Sequence, residues 1–143
     1  MKQISITKAS LKDLSHCLAI RRKVFIEGQN VPEDRELDGL DDSSHHYLLS
    51  LDKAIIGTAR VRYIDEKAKI ERVAILPSYQ GRGLGKKLMQ FIIDDVRNNN
   101  TIKKAVLSSQ VSALSFYESL GFQVCSKEYM DTNIPHKDMQ IIL

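Results

Sequence analysis

The chain of 143 residues is the length of one domain, and such a chain buries enough surface to fold without disulfides or metal. Its 43% hydrophobic and 27% charged residues exclude collagen-like, mucin-like and wholly disordered chains, and no apolar run approaches the roughly 20 residues of a membrane span. With 21 basic against 18 acidic residues the formal charge is only +3, too balanced for a nucleic-acid partner.

The start, Met1 to Thr7, alternates polar and apolar residues and has no apolar signal core, which predicts a cytoplasmic protein without a membrane partner. Ile4 and Ile6 predict a first strand. Leu11, Leu14, Leu18, Arg21 and Phe25 follow helical spacing up to Gly28, with Asp13 as the cap or in the first turn. Asn30 to Ser44 is polar and acidic and reads as a loop with a short helix near Glu33–Glu36. Its run Glu33, Asp34, Glu36, Asp38, Asp41, Asp42 is either a solvated loop or a field that attracts a cationic amine.

Tyr47–Leu51 and Ala54–Tyr63 read as strands joined by a tight Asp52-Lys53 turn, and Lys69–Leu76 as the next strand, stopped by Pro77. A strongly apolar helix follows from Leu84 to about Arg97, then a strand from Lys104 to Gln110. Ala113, Phe116, Tyr117 and Leu120 share one face of a short helix closed by Gly121. Phe122–Met130 and Asp138–Leu143 complete the expected strands. Cys17 and Cys125 both read as buried free thiols, and no Cys/His spacing supports a metal site. The order predicts an α/β (α+β) domain over residues 1–143, with a mixed sheet flanked by helices.

The informative segment runs from Glu71 to Lys87. A strand enters a turn containing Gly81, Gly83 and Gly85, and the turn opens a helix. Helix N-termini carry unsatisfied N–H groups and partial positive charge, and glycines let that backbone approach an anion. Arg82, Lys86 and Lys87 add charge. The spacing fits neither a Walker loop nor the G-x-G-x-x-G dinucleotide fingerprint, so a tight-packing turn remains open at this point.

Gln80-x-x-Gly83-x-Gly85 resembles the Q/R-x-x-G-x-G/A motif of the GCN5-related N-acetyltransferases (GNAT). Ala113-x-x-Phe116-Tyr117-x-x-x-Gly121-Phe122 resembles that family's second block. Val24 to Pro32 and Ile134-Pro135-His136 resemble segments of its ElaA-like branch. Gly28 stands where the branch has Glu, and Ser108 where it has His.

The resemblance implies a GNAT-like fold with a twisted, mostly antiparallel sheet. It implies transfer of acetyl from acetyl-CoA to a primary amine (a small amine, amino sugar or peptide amine) in a ternary complex. Gln80, Gly81, Arg82, Gly83, Leu84, Gly85 and Lys86 would hold the pyrophosphate. Backbone groups of Val73, Ala74 and Ile75 would hold the pantetheine and thioester, where their strand splays from the one starting near Lys104. Gln110 would reach the coenzyme, and Tyr117 would be the acid beside its sulfur.

Glu71 is either a proton-relaying base or one half of a strand ion pair, and His46 and His136 rival it as base because imidazole titrates near neutrality. Glu27 and Gln29 would form an acceptor wall. Arg60 and Arg62 share a strand face and either bind an anionic acceptor group or pair with carboxylates. The alternatives are an acetyl-CoA-binding module without turnover, acyl transfer to a hydroxyl or from a longer chain, and a general phosphate-ligand sensor. The apolar end Ile141-Ile142-Leu143 fits a core or an interface between two copies, so a homodimer stays open.

Overall fold

Asp52 and Lys53 both take positive φ, 50° and 72°, the backbone of a two-residue turn whose twist matches its flanking strands. They close a hairpin of β2 (His45–Leu51) and β3 (Ala54–Ile64). Around it a computed structural model, which describes residues 3–143, builds one eight-stranded sheet. Met1 and Lys2, the first residues of the alternating stretch, lie outside the described residues.

The other strands are β1 (Ile4–Lys8), β4 (Lys67–Ile75), β5 (Lys104–Gln110), β6 (Gln123–Val124), β7 (Tyr129–Asp131) and β8 (Ile134–Ile142). The order is β1-β2-β3-β4-β5-β8-β6, with β7 also on β8. Every pairing is antiparallel except β4 with β5. A parallel pair needs a crossover, supplied here by helix α3 (Leu84–Arg97).

Helix α3 buries Leu84, Leu88, Met89, Ile92, Ile93 and Val96 against Leu49, Val61, Ala68, Ile70, Ala105 and Leu107 of the sheet. Burying a side chain of this size contributes about 1.5–3 kcal/mol, so this face is the main core. On the opposite face α1 (Leu14–Arg21) and the turn that follows it set Ile20 and Val24 over Ala74, and the short helix α2 (Glu33–Glu36) comes next in the acidic loop.

The predicted first helix changes pitch twice. A 3₁₀ turn at Leu11–Asp13 starts it, where Asp13 Oδ2 accepts from the Ser10 amide at 3.2 Å. After α1 a π-helical segment spans Arg22–Glu27. A Cβ at Gly28 would stand 3.0 Å from the Lys23 carbonyl oxygen, so the wide turn closes on a residue without one.

Two expectations need correction. Phe122–Met130 is not one strand but β6 and β7, and Cys125 between them is exposed; Cys17 is the buried thiol. The last strand begins at Ile134 rather than Asp138, because Thr132 and Asn133, both at positive φ, turn β7 back into β8.

Candidate active site

The site begins at a β-bulge. Thr58 pairs with Ala74 and Arg60 with Glu71, so Arg72 and Val73 together oppose Ala59. Arg72 takes φ +55°, the left-handed conformation of a bulged residue, and such a bulge bends its strand. Pairing between β4 and β5 ends at Lys69 and Val106, yet β4 runs to Ile75 and β5 to Gln110. Beyond that level the strands part. Val73, Ala74 and Ile75 keep β3 on one edge and leave the edge toward β5 without a strand.

At the mouth of this opening lies the glycine turn. Gly81 and Gly83 both take φ +77°, and Gly83 is the left-handed N-cap of α3. The Lys87 amide bonds the Gly83 carbonyl; among the described residues the amides of 81–86 have no backbone acceptor. Gln80 Nε2 donates to the Ile75 carbonyl at 2.8 Å, tying the loop to the strand end. Arg82 lies over the Tyr79 ring and donates to the Ser78 carbonyl. The Leu84 side chain is core, so only its backbone faces the loop. A concave run of free amides with Arg82, Lys86 and Lys87 nearby fits a pyrophosphate.

The short helix α4 (Leu114–Glu118) packs beside this turn; a Cβ at Gly85 would meet Phe116 Cζ at 3.5 Å. Tyr117 stands edge-on to Phe116 and Phe122, and burial pushes its hydroxyl up to about 12. It therefore holds its proton throughout the neutral range.

On the other face of the opening, Gln110 Nε2 donates to Gln29 Oε1 at 2.9 Å, joining the end of β5 to the segment after the π-helical turn. Glu27 is exposed nearby in sequence. His136 pairs in register with Gln110, and its ring stacks on Tyr129 at 6.1 Å. His136 Nδ1 lies 2.7 Å from the Ile134 carbonyl. A carbonyl only accepts, so Nδ1 carries the proton and the neutral ring keeps its lone pair on Nε2. Ser108 Oγ meets the Tyr129 hydroxyl, which donates to Asp138 Oδ1 at 2.5 Å. Sequence reasoning missed Tyr129 and Asp138. The available signal was the Thr132-Asn133 turn, which folds β8 back so that Asp138 pairs with Ser108.

Three expected site residues serve the scaffold instead. Arg60 is fully buried and bonds Asp38 at 2.8 and 2.7 Å, Asp41 at 3.0 Å and Glu71 at 3.0 Å. Its Nη1 and Nη2 are taken up by carboxylates and its Nε is buried, so it presents no exposed donor to an acceptor. Glu71 also takes Arg62 Nε at 2.6 Å and Nη2 at 3.1 Å. Burial works against its charge, but Arg62 and Arg60 hold its carboxyl below the usual range, the wrong direction for a base at neutral pH. His46 is buried, and its Nε2 donates to the Asp41 carbonyl at 2.9 Å. The acidic run is likewise no open field, since Glu36, Asp38 and Asp41 turn inward onto Arg21, Arg60 and Arg72.

The Acetyltransferase (GNAT) domain model matches residues 20–143. The chain belongs to the GNAT N-acetyltransferase family, in its ElaA-like branch. It is 37% identical over 127 residues to the uncharacterized Bacillus subtilis protein YyaT, covering 87% of this chain and 85% of that protein. It is 31% identical over 137 residues to the uncharacterized N-acetyltransferase YjcF of the same organism, covering 95% of each. Escherichia coli ElaA superposes with a TM-score of 0.84 at 26% identity, over 98% of this chain and 99% of ElaA. In this acetyltransferase the two departures from the branch pattern have local settings: Gly28 closes the π-helical turn, and Ser108 is bound to Tyr129.

Proposed function

We propose that this acetyltransferase moves the acetyl group of acetyl-CoA to a primary amine by direct attack while both substrates are bound. The observation that carries this reading is the opening between β4 and β5 with free loop amides at its mouth. Acetyl-CoA supplies the activated acetyl group. Amides 81–86 and the side chains of Arg82 and Lys86 bind its pyrophosphate, and the free edge of Val73–Ile75 orients the thioester. Gln110 and Gln29 border the acceptor side. The amine nitrogen bonds to the thioester carbonyl carbon as the C–S bond breaks. The Tyr117 hydroxyl gives its proton to the departing sulfur, and His136 Nε2 takes the proton the amine loses. Relatives and neighbours lend support: the B. subtilis protein YjcF is named as an N-acetyltransferase, and an N-acetylglutamate synthase of this fold was solved with coenzyme A.

A thermal-shift titration with acetyl-CoA, with ATP and NAD as controls, tests the coenzyme. Ligand at 100 times its dissociation constant adds about 2.7 kcal/mol. A rise with acetyl-CoA alone is expected; an equal rise with ATP returns the phosphate-sensor reading. Amine-dependent release of free thiol tests turnover, and Tyr117→Phe is expected to lower kcat about 100-fold. Coenzyme binding without thiol release from any amine leaves a binding module.

A further inference from the structure

The sheet face that carries Glu71 continues past helix α1 into a groove of about 330 Å³ lined by Ile64, Lys67, Lys69, Lys104, Val106 and Asp138, among others. Lys67 and Lys104 are register partners on the parallel β4–β5 pair, so two ammonium groups leave the sheet side by side. Like charges placed opposite each other on a sheet are destabilising. Here they go uncompensated. Lys104 Nζ bonds the neutral Gln140 Oε1 at 3.1 Å, and among the described residues no carboxylate lies within ion-pair distance of Lys67 or Lys104. Lys69, the next cation along, sits 3.7 Å from a Glu71 already held by two arginines.

The opposite end of the groove has the other sign. There Asp138, with Tyr129 and Ser108 bound to it, stands where the strands begin to part. Along β5 the Ser108–Asp138 pair lies two residues, about 7 Å, from the level of Lys69 and four, about 13 Å, from the level of Lys67 and Lys104.

We infer that the groove is the acceptor's binding site and selects an amine that also carries an anionic group, a carboxylate or a phosphate, about 10 Å from the nitrogen. Lys67, Lys69 and Lys104 take the anion, while Asp138 draws the ammonium end toward His136. Val106 lines the spacer between them, and Ile64 stands beside Lys67 at the cationic end. The inference rests on the acetyl-transfer reading and narrows its acceptor.

The test uses matched acceptors: hexylamine, 6-aminohexanoate, 6-aminohexyl phosphate and 1,6-diaminohexane, each followed by thiol release with acetyl-CoA. Calorimetric binding of the same compounds to the coenzyme A complex runs in parallel. Either anionic amine is expected to bind and react with a KM at least about tenfold below hexylamine, the scale of one charge-assisted hydrogen bond. Comparing carboxylate with phosphate shows which anion the lysines prefer. In the Lys67→Gln/Lys104→Gln double variant the preference should fall to within about twofold of hexylamine, with acetyl-CoA affinity unchanged. Equal use of hexylamine or diaminohexane overturns the inference. So does a preference that survives the double variant, or no binding of either anionic amine to the coenzyme complex. All three leave the parent reading standing, whereas failure of acetyl-CoA itself to bind removes that reading instead.

Discussion

Arg21 and Arg60 converge on one oxygen: Arg21 Nη1 lies 2.6 Å and Arg60 Nη1 3.0 Å from Asp41 Oδ1. Both guanidinium groups are buried, one from α1 and one from β3. Glu36, Asp38 and Glu71 complete the charge balance, with Arg62 and Arg72 closing the outer side. The cluster fastens the acidic loop to the sheet where β4 bulges. It thereby holds the wall of the opening to which the glycine turn is attached.

Removing one partner of a buried ion pair leaves the others uncompensated and costs about 3–5 kcal/mol. Arg60→Met should lose stability on that scale, read as a lower urea midpoint with an unchanged m-value. Arg22→Met breaks the exposed pair with Glu33 and should cost no more than about 1 kcal/mol. Equal losses in the two variants contradict the assignment of the buried cluster as the fastening.

The same cluster sets the acid response. The Arg60 hydrogen bonds hold the Asp38 carboxyl well below its ordinary range. Burial opposes charge at Asp41 and Glu71, but Arg21 and Arg62 keep both depressed as well. A folded-state value below the unfolded one means the unfolded chain binds more protons, so stability rises with pH across that interval. The contribution is complete above the unfolded carboxylate values near ~4 and disappears as pH falls toward the depressed folded values. The melting midpoint should therefore be flat in carboxylate terms from pH 7 to about 5 and drop steeply below about 4. Asp38→Asn should flatten that drop. An unchanged acid slope in this variant rules Asp38 out as a contributor.

Gly83→Asp tests the loop. The substitution puts a side chain at φ +77° and a carboxylate where the amides converge. Gly39 has nearly the same backbone, φ +79° with open space around it, in the acidic loop. Gly39→Asp therefore carries similar strain without a charge at the coenzyme. The dissociation constant for acetyl-CoA should rise at least about tenfold in Gly83→Asp and stay within about twofold in Gly39→Asp. Equal effects would trace the loss to backbone strain.

Local chemistry made much of this legible in the sequence. Asp52-Lys53 marked the β2–β3 hairpin, Pro77 and the glycines marked the strand end and turn, and the apolar period marked α3 over Leu84–Arg97. The two-residue period placed Arg60 and Arg62 on one face but left their partners open. Arg62 pairs with Glu71 on the next strand, whereas Asp38 and Asp41, which hold Arg60, lie about twenty residues earlier in a loop with no period at all. The bulge was also invisible, because Arg72 is not a residue that signals positive φ. It shifts alternation by one, so Glu71 and Ala74 reach the same side of the sheet. Arg72 itself still reaches the acidic loop, pairing with Glu36 at 2.7 Å. Alternation alone would have sent Glu71 and Arg72 to opposite faces.

Two histidine and glutamate variants decide how the amine loses its proton. Glu71 accepts from Arg60 and Arg62, so Glu71→Gln should lower the melting midpoint and leave kcat within about threefold once both substrates saturate. His136 has Nδ1 fixed by the Ile134 carbonyl and its ring on Tyr129, which leaves Nε2 to work. His136→Ala should lower kcat about 100-fold or more, the usual scale for general base catalysis. Added imidazole should restore part of the loss, which it would not do for a residue that only supports the fold. A Glu71→Gln enzyme that keeps its stability and loses turnover, beside a His136→Ala enzyme that imidazole does not rescue, assigns the base to Glu71 acting through water.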